Sequence, residues 1–392
     1  MLKNLALICF SLLLNSFNPN KINPGYDEPV MDTSKIAAIK ITPAKPLIEK
    51  DIYGYYLNFD INIKNQTTHV LELNSIEIAV MDNAGKLVQR KFIGHDAKSP
   101  SIDVLGKTII KPGESISIFN PFHTFTPDIT IASLKYGFFF NYADNQQQTD
   151  NNNHRLPMDF DVSAIKVIKP EVYIAKNVYY LPLKGKIIVW DGHDFYSDHR
   201  RTPNNPGEGK TGDISKNSNR YAYNLVSIDG SGSMYHGSPF KKQNWYVFGK
   251  PVYVPSPGRL IVVQNNIPDN DYNGKAIQSP KLDANVDPKG MGNYVIIDHG
   301  NGEFSVMQHM ERGSIKMRAG TMVKAGEQIG TVGFSGNAIY PHLYYTVINS
   351  PREIAAEGIP SYFNDYKLYR GTVVLAVKRS RIDSGDIVES DK

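Results

Sequence analysis

The side chains best suited to chemistry are histidines near the ends of strand-like segments. Phe304-Ser305-Val306-Met307-Gln308-His309-Met310 reads as a strand with His309 near its end. Pro341-His342-Leu343-Tyr344-Tyr345-Thr346-Val347 sets His342 and Tyr344 two residues apart. Alternate residues of a strand face the same way, so this pair shares a face. An imidazole in a cleft serves as base, acid or metal ligand. Gly192-His193-Asp194-Phe195-Tyr196-Ser197-Asp198-His199-Arg200 offers two more, and Asp191, Asp198, Asp229 and His236 are spare candidates. His299, before Gly300, is expected to be structural, and His69, His95, His123 and His154 are scattered. The single cysteine, Cys9, excludes an internal disulfide and a cysteine zinc cluster.

These groups need a scaffold, and the local patterns specify strands. Gly292 to Gly300 is a buried strand ending in a turn, and Gly249 to Val263 reads as two strands around a Pro-Gly turn. Ala319 to Gly330 is rich in hairpin signals, with glycines where a residue without Cβ turns most easily. Upstream, Tyr55 to Ile63 alternates apolar and mostly polar residues, as a half-buried strand does. Val70 to Val80, Thr108 to Ile110 and Ser115 to Phe119 also read as strands, with turns at Asn83-Ala84-Gly85 and Pro112-Gly113. Gln146 to Asn153 is a polar low-complexity loop.

Four segments in fixed order carry a resemblance. They are Gly-Asn-Tyr-Val-Ile-Ile-Asp-His-Gly from Gly292, Gln308-His309-Met310, the hairpin Val323-Lys324-Ala325-Gly326-Glu327-Gln328-Ile329-Gly330, and Pro341-His342-Leu343-Tyr344. Together they resemble the lysostaphin/LytM-type zinc metalloendopeptidases, which hydrolyse peptide bonds of peptidoglycan on a β-sheet scaffold. Arg220-Tyr221-Ala222-Tyr223-Asn224-Leu225-Val226 resembles the strand that carries that family's aspartate ligand. The likeness spans about residues 181–351, under half the chain.

The resemblance implies a duplicated hybrid motif fold and one zinc held by three protein ligands, with a fourth position open to water. It implies His309 and His342 as the catalytic, non-ligand histidines. The ligand set departs from the pattern. Tyr344 stands where the second histidine of a His-x-His pair belongs, Asn224 replaces the aspartate, and Arg220 occupies the commonest place of the first histidine. Some relatives take that ligand from an earlier loop, which points to His199, with His193 as the alternative. A neutral amide oxygen is a poorer zinc ligand than a carboxylate, and a phenol with a pKa of about 10 must lose its proton to bind well. Zinc, if bound at all, is the only cofactor implied.

The expected fold class is all-β: an immunoglobulin-like β-sandwich at 34–168, then a LytM-type β-sheet peptidase domain at 181–351 and a C-terminal extension at 352–392. Residues 1–20 read as an export signal, with Lys3 ahead of a short apolar run from Leu5 to Leu14, so a periplasmic or extracellular location is expected and no membrane span once the signal is removed. Net charge +4 over 392 residues gives no case for nucleic acid. The degenerate ligands point first to a pseudo-peptidase that binds peptidoglycan or regulates a cell-wall hydrolase. The alternatives are an active zinc endopeptidase with a remodelled ligand set, and a non-catalytic envelope adhesin or structural protein. Pro351 to Tyr366 is expected as a loop beside the cleft, Gly371 to Val377 as one last strand, and Ser380 to Lys392 as a frayed tail.

Overall fold

The computed structural model describes residues 35–390 except 52, 144–159, 202–215, 282–289 and 353–354. The expected export signal and the Gln146–Asn153 loop lie outside the described residues. The chain is almost entirely β, as its composition and alternation require. Among the described residues no helix is long and apolar enough to cross a membrane.

The first β unit is built from three sheets. One joins Ala37–Thr42, Asp60–Asn65 and Ser115–Phe119, and another joins Val162–Ile168, Ser133–Tyr142, Leu71–Met81 and Leu87–Gly94. A third sheet, of four short strands, contains Leu47–Lys50 and Tyr55–Leu57. Their inward residues, among them Phe59, Ile61, Ile63, Ile76, Ile78, Tyr136 and Phe138, form one apolar cluster. The Tyr55–Ile63 alternation is real but its polar face is not wet. The chain breaks at Asn58-Phe59 into two strands, and Asn58, Asp60 and Asn62 are buried. The second unit covers Asn58 and Asp60 through the His193 carbonyl and Arg220, while Asn62 bonds to Ser117 of the neighbouring strand, and local periodicity reads the same whether water or protein lies on the face.

The second unit centres on one long sheet. From one end its order is Met322–Val323, Gly258–Gln264, Asn293–Asp298, Phe304–Met310, Leu343–Ile348, Tyr223–Ser227, Gly185–Asp191, Ile387–Ser390, Phe363–Arg370 and Val373–Ser380. Two local expectations change. The strands flanking Lys324-Ala325-Gly326 pair with Gly258-Arg259 and with Pro251–Tyr253, not with each other. The described C-terminal residues, up to Ser390, are not frayed: Phe363–Arg370, Val373–Ser380 and Ile387–Ser390 extend the sheet, and the last pairs with Gly185–Ile188. The second core, from Tyr179 to Val388, includes these strands through Phe363, Tyr366 and Leu368.

Candidate functional site

Three neighbouring strands set a row of side chains across the middle of the long sheet. Tyr344 pairs with Asn224 on one side and with Gln308 on the other. His309 therefore follows Gln308 at a strand end, and His342 stands two residues before Tyr344 on the same face. The sequence placed these residues together only through family order; strand pairing gives the physical reason.

His309 has φ of 63°, in the left-handed region that non-glycine residues seldom occupy. Three bonds hold it there. Its N–H donates to the Met291 carbonyl at 3.1 Å, its carbonyl accepts from Gly333 at 3.0 Å, and its Nδ1 lies 2.9 Å from the Ser335 carbonyl. Such conformers cost on the order of 1–3 kcal/mol and concentrate at functional sites. The Ser335 loop can approach because Gly292 and Gly336 lack side chains; a Cβ on Gly292 would lie 2.5 Å from Ser335, and one on Gly336 would lie 2.3 Å from the Gly290 carbonyl.

His342 is held in the same way, with Nδ1 2.8 Å from the Tyr340 carbonyl. A carbonyl only accepts, so Nδ1 carries the proton in both rings and Nε2 keeps its lone pair. The ring centroids are 4.8 Å apart. Burial pulls the pKa of His309 down to about 4, and burial together with the neighbouring His309 holds His342 well below the ordinary range. Both rings are neutral at pH 7.

His199 faces this pair from the short Asp198–Arg201 helical turn. Asp191 anchors the turn, accepting from the backbone N–H of His199 at 3.0 Å. The His199 Nε2 lies 2.8 Å from the Asn224 Oδ1, and the Asn224 amide nitrogen donates to the Tyr340 hydroxyl at 3.2 Å. The Asn224 oxygen is thus committed to His199, whose Nε2 must be the donor. The buried Tyr344 donates its phenol proton to the Asn219 Oδ1 at 2.6 Å, with its ring edge-on to His199 at 5.0 Å. Tyr340 stacks on Trp245 at 5.5 Å and meets the half-exposed Trp190 edge-on at 6.2 Å.

The structure brings together His309, His342, His199, Asn224 and Tyr344. It does not bring in His193, the alternative to His199. That ring is fully buried on the far side of the segment, 3.0 Å from Glu49 Oε2 and stacked on Tyr223 at 4.5 Å. Arg220 also turns away: it is buried in an ion pair with Asp60 at 2.7 Å and another with Glu357. Asp229 is taken up by Ser231, Ser233 and Tyr246, and His299 by the Pro257 carbonyl and Ser305. Sequence reasoning missed Tyr340 and Asn219, although Tyr340 stands directly before Pro341-His342.

The donor set does not fit a zinc ion of the kind the resemblance implies. Among the described residues no three His, Cys, Asp or Glu side chains converge on one point. His199 offers an N–H, Tyr344 a protonated phenol and Asn224 a neutral oxygen, and each already has a protein partner. The Asp191 carboxylate lies 3.7 Å from the His199 Nε2 but already accepts from the backbone N–H groups of Asp198 and His199, and among the described residues no second imidazole joins it to make the set that holds zinc firmly. The arrangement can do something else. It presents unprotonated imidazole nitrogens as acceptors beside amide and phenol groups, which suits the N–H and C=O groups of a peptide.

Residues 246–356 match peptidase family M23. Among curated proteins, the peptidoglycan DD-endopeptidase ShyA of Vibrio cholerae is 37% identical over 108 residues, 28% of this chain and 20% of that protein. The chain thus spans about one fifth of the length of this curated relative. Similar solved structures include the catalytic domain of the prophage-encoded M23 protein EnpA from Enterococcus faecalis (20% identity, 34% of this chain and 93% of that one, TM-score 0.21). Others are the catalytic domain of lysostaphin from Staphylococcus simulans (20% identity, 32% and 86%, TM-score 0.21) and a zinc-containing peptidase from Vibrio cholerae (13% identity, 82% and 83%, TM-score 0.26). At these TM-scores they add nothing to the family match. The matched segment holds His309, His342 and Tyr344, whereas His199 and Asn224 precede it.

Proposed function

We propose, on the premise that residues 246–356 are a LytM/lysostaphin-type domain of peptidase family M23, that this is an exported protein whose groove binds peptidoglycan peptides without hydrolysing them. The His199–Asn224 bond carries this reading. It joins two positions that would each need a free lone pair to share a metal, and Tyr344 has found its own partner in Asn219. The kinship with a peptidoglycan endopeptidase supports the ligand class. In this reading the neutral His309 and His342 accept hydrogen bonds from peptide N–H groups, the exposed edge of Trp190 borders the groove, and the first β unit is an immunoglobulin-like docking domain.

A second reading, an active endopeptidase with a remodelled ligand set, is favoured by two observations. His309 keeps a strained backbone and His342 a fixed tautomer, both suited to proton transfer.

Metal analysis of the purified full chain, after chelation and zinc re-addition, separates the two when run beside binding and solubilisation of peptidoglycan sacculi. Sacculus binding with neither zinc nor released fragments is the expected result. One zinc per chain, lost in His199→Ala and accompanied by released fragments, establishes the second reading instead.

A further inference from the structure

His199 meets Tyr344 edge-on from a segment whose back is fastened to the first β unit. The attachments run through the residues on either side of it. The His193 carbonyl accepts from Asn58 at 3.1 Å, and its ring meets Glu49 at 3.0 Å. Phe195 stacks on His123 at 4.4 Å with planes 14° apart. Arg200 is fully buried, donates from Nη2 to the Phe59 carbonyl at 3.2 Å, and lies about midway between the rings of Phe119 (5.5 Å) and Phe195 (5.4 Å). From the second β unit the segment is held by Asp191, by Asn224, and by Asn217, which donates to the Arg200 carbonyl at 2.7 Å.

Arg200 is an expensive way to fill that slot. Its Nε and Nη1 have no protein partner, and burying a guanidinium with donors unmet costs more than burying a thioether of similar length. What the guanidinium supplies, and an apolar side chain does not, is a directional bond to the Phe59 backbone one residue from His199.

We propose that the first β unit is a working wall of the groove, and that Arg200 is a positioning residue: anchored on Phe59, Phe119 and Phe195, it holds His199 against Asn224 and so sets the groove's affinity for its ligand. The inference rests on the peptidoglycan-binding reading for the groove and its ligand, whereas the positioning of His199 by Arg200 stands on the contacts themselves.

The test uses the full chain with ¹⁵N-labelled histidine, comparing Arg200→Met with the parent. Imidazole spectra report the His199 Nε2–H bond directly, with His299 as an internal control because Pro257 and Ser305 hold it elsewhere. The expected result is a shifted or broadened His199 signal, an unchanged His299 signal and sacculus binding roughly tenfold weaker, the scale of one lost hydrogen bond. A folded Arg200→Met with unchanged His199 signal and unchanged binding overturns the proposal. If the His199 signal moves but the parent itself does not bind sacculi, the positioning role stands and the ligand assignment falls. Should Arg200→Met not fold, His123→Ala decides in the same way, since it removes the stack on Phe195 together with only a local bond from the His123 ring to the Pro121 carbonyl, and is expected to move the same signal by less.

Discussion

The Asn224 Oδ1 lies 2.8 Å from the His199 Nε2 and accepts its hydrogen bond, so two residues that the resemblance offers as candidate metal ligands are bonded to each other. Asparagine has no charge to offer a cation and no second oxygen, but its amide bridges His199 and Tyr340 well. In the proposed reading a hydrogen-bonded wall stands where the resemblance implies metal ligands.

That exchange should be reversible by chemistry. Asn224→Asp combined with Tyr344→His supplies a carboxylate and a second imidazole beside His199. The double variant is expected to take up stoichiometric zinc where the parent does not, as read by metal analysis after dialysis. If it takes up no more than the parent, these two side chains are not what keeps zinc out.

Arg220 has become a clamp between the two β units. It joins Asp60 of the first unit to Glu357 of the second, and all three are largely buried. Arg220→Ala strands two carboxylates and should cost about 3–5 kcal/mol in urea unfolding. Replacing the triad with Asp60→Asn, Arg220→Met and Glu357→Gln should recover much of that loss. A single Arg220→Ala variant as stable as the parent would show that the clamp contributes nothing.

Acid should weaken the fold through the histidine pair. The folded pKa of His309 is about 4, below the unfolded value near 6.5, so below pH 6.5 the unfolded chain binds a proton that the folded chain refuses. Stability from this group is therefore full above pH about 6.5, falls as pH drops from there to about 4, and levels off below, with a total loss of about 3 kcal/mol. His342, held low in the same direction, adds to the slope. Urea midpoints across this window should decline with acid in the parent and decline less in His309→Gln. Parallel curves for the two proteins would exclude His309 as a source.

The approach of the Ser335 loop depends on Gly292. Its φ is 66°, and a methyl group there would sit 2.5 Å from Ser335. Gly292→Ala is expected to cost about 1–3 kcal/mol and to push the Ser335 carbonyl off the His309 Nδ1. An imidazole NMR signal for His309 that is identical in the variant and the parent would show that the loop does not orient the ring.

The sequence by itself determined most of the strands, and the family order of its short segments placed His309 beside His342, whose rings lie 4.8 Å apart. Period-two alternation, turn glycines and a fixed order of short segments are local signals, and they survive without any knowledge of contacts. It also determined that Asn224 and Tyr344 are poor zinc ligands, because that follows from the side chains themselves. Only the tertiary structure decided which way each side chain turns. His193 and His199 lie six residues apart with equal chemical merit, yet one is buried against Glu49 and the other meets Asn224. Asp60 reads as the wet face of a strand, yet it pairs with Arg220, 160 positions away. The tail from Phe363 to Ser390 reads as a loop, a strand and loose ends, yet it extends the sheet through partners near Gly185. Burial and partner choice arise from contacts between segments far apart in the chain, and a local pattern carries no information about which distant surface will cover it.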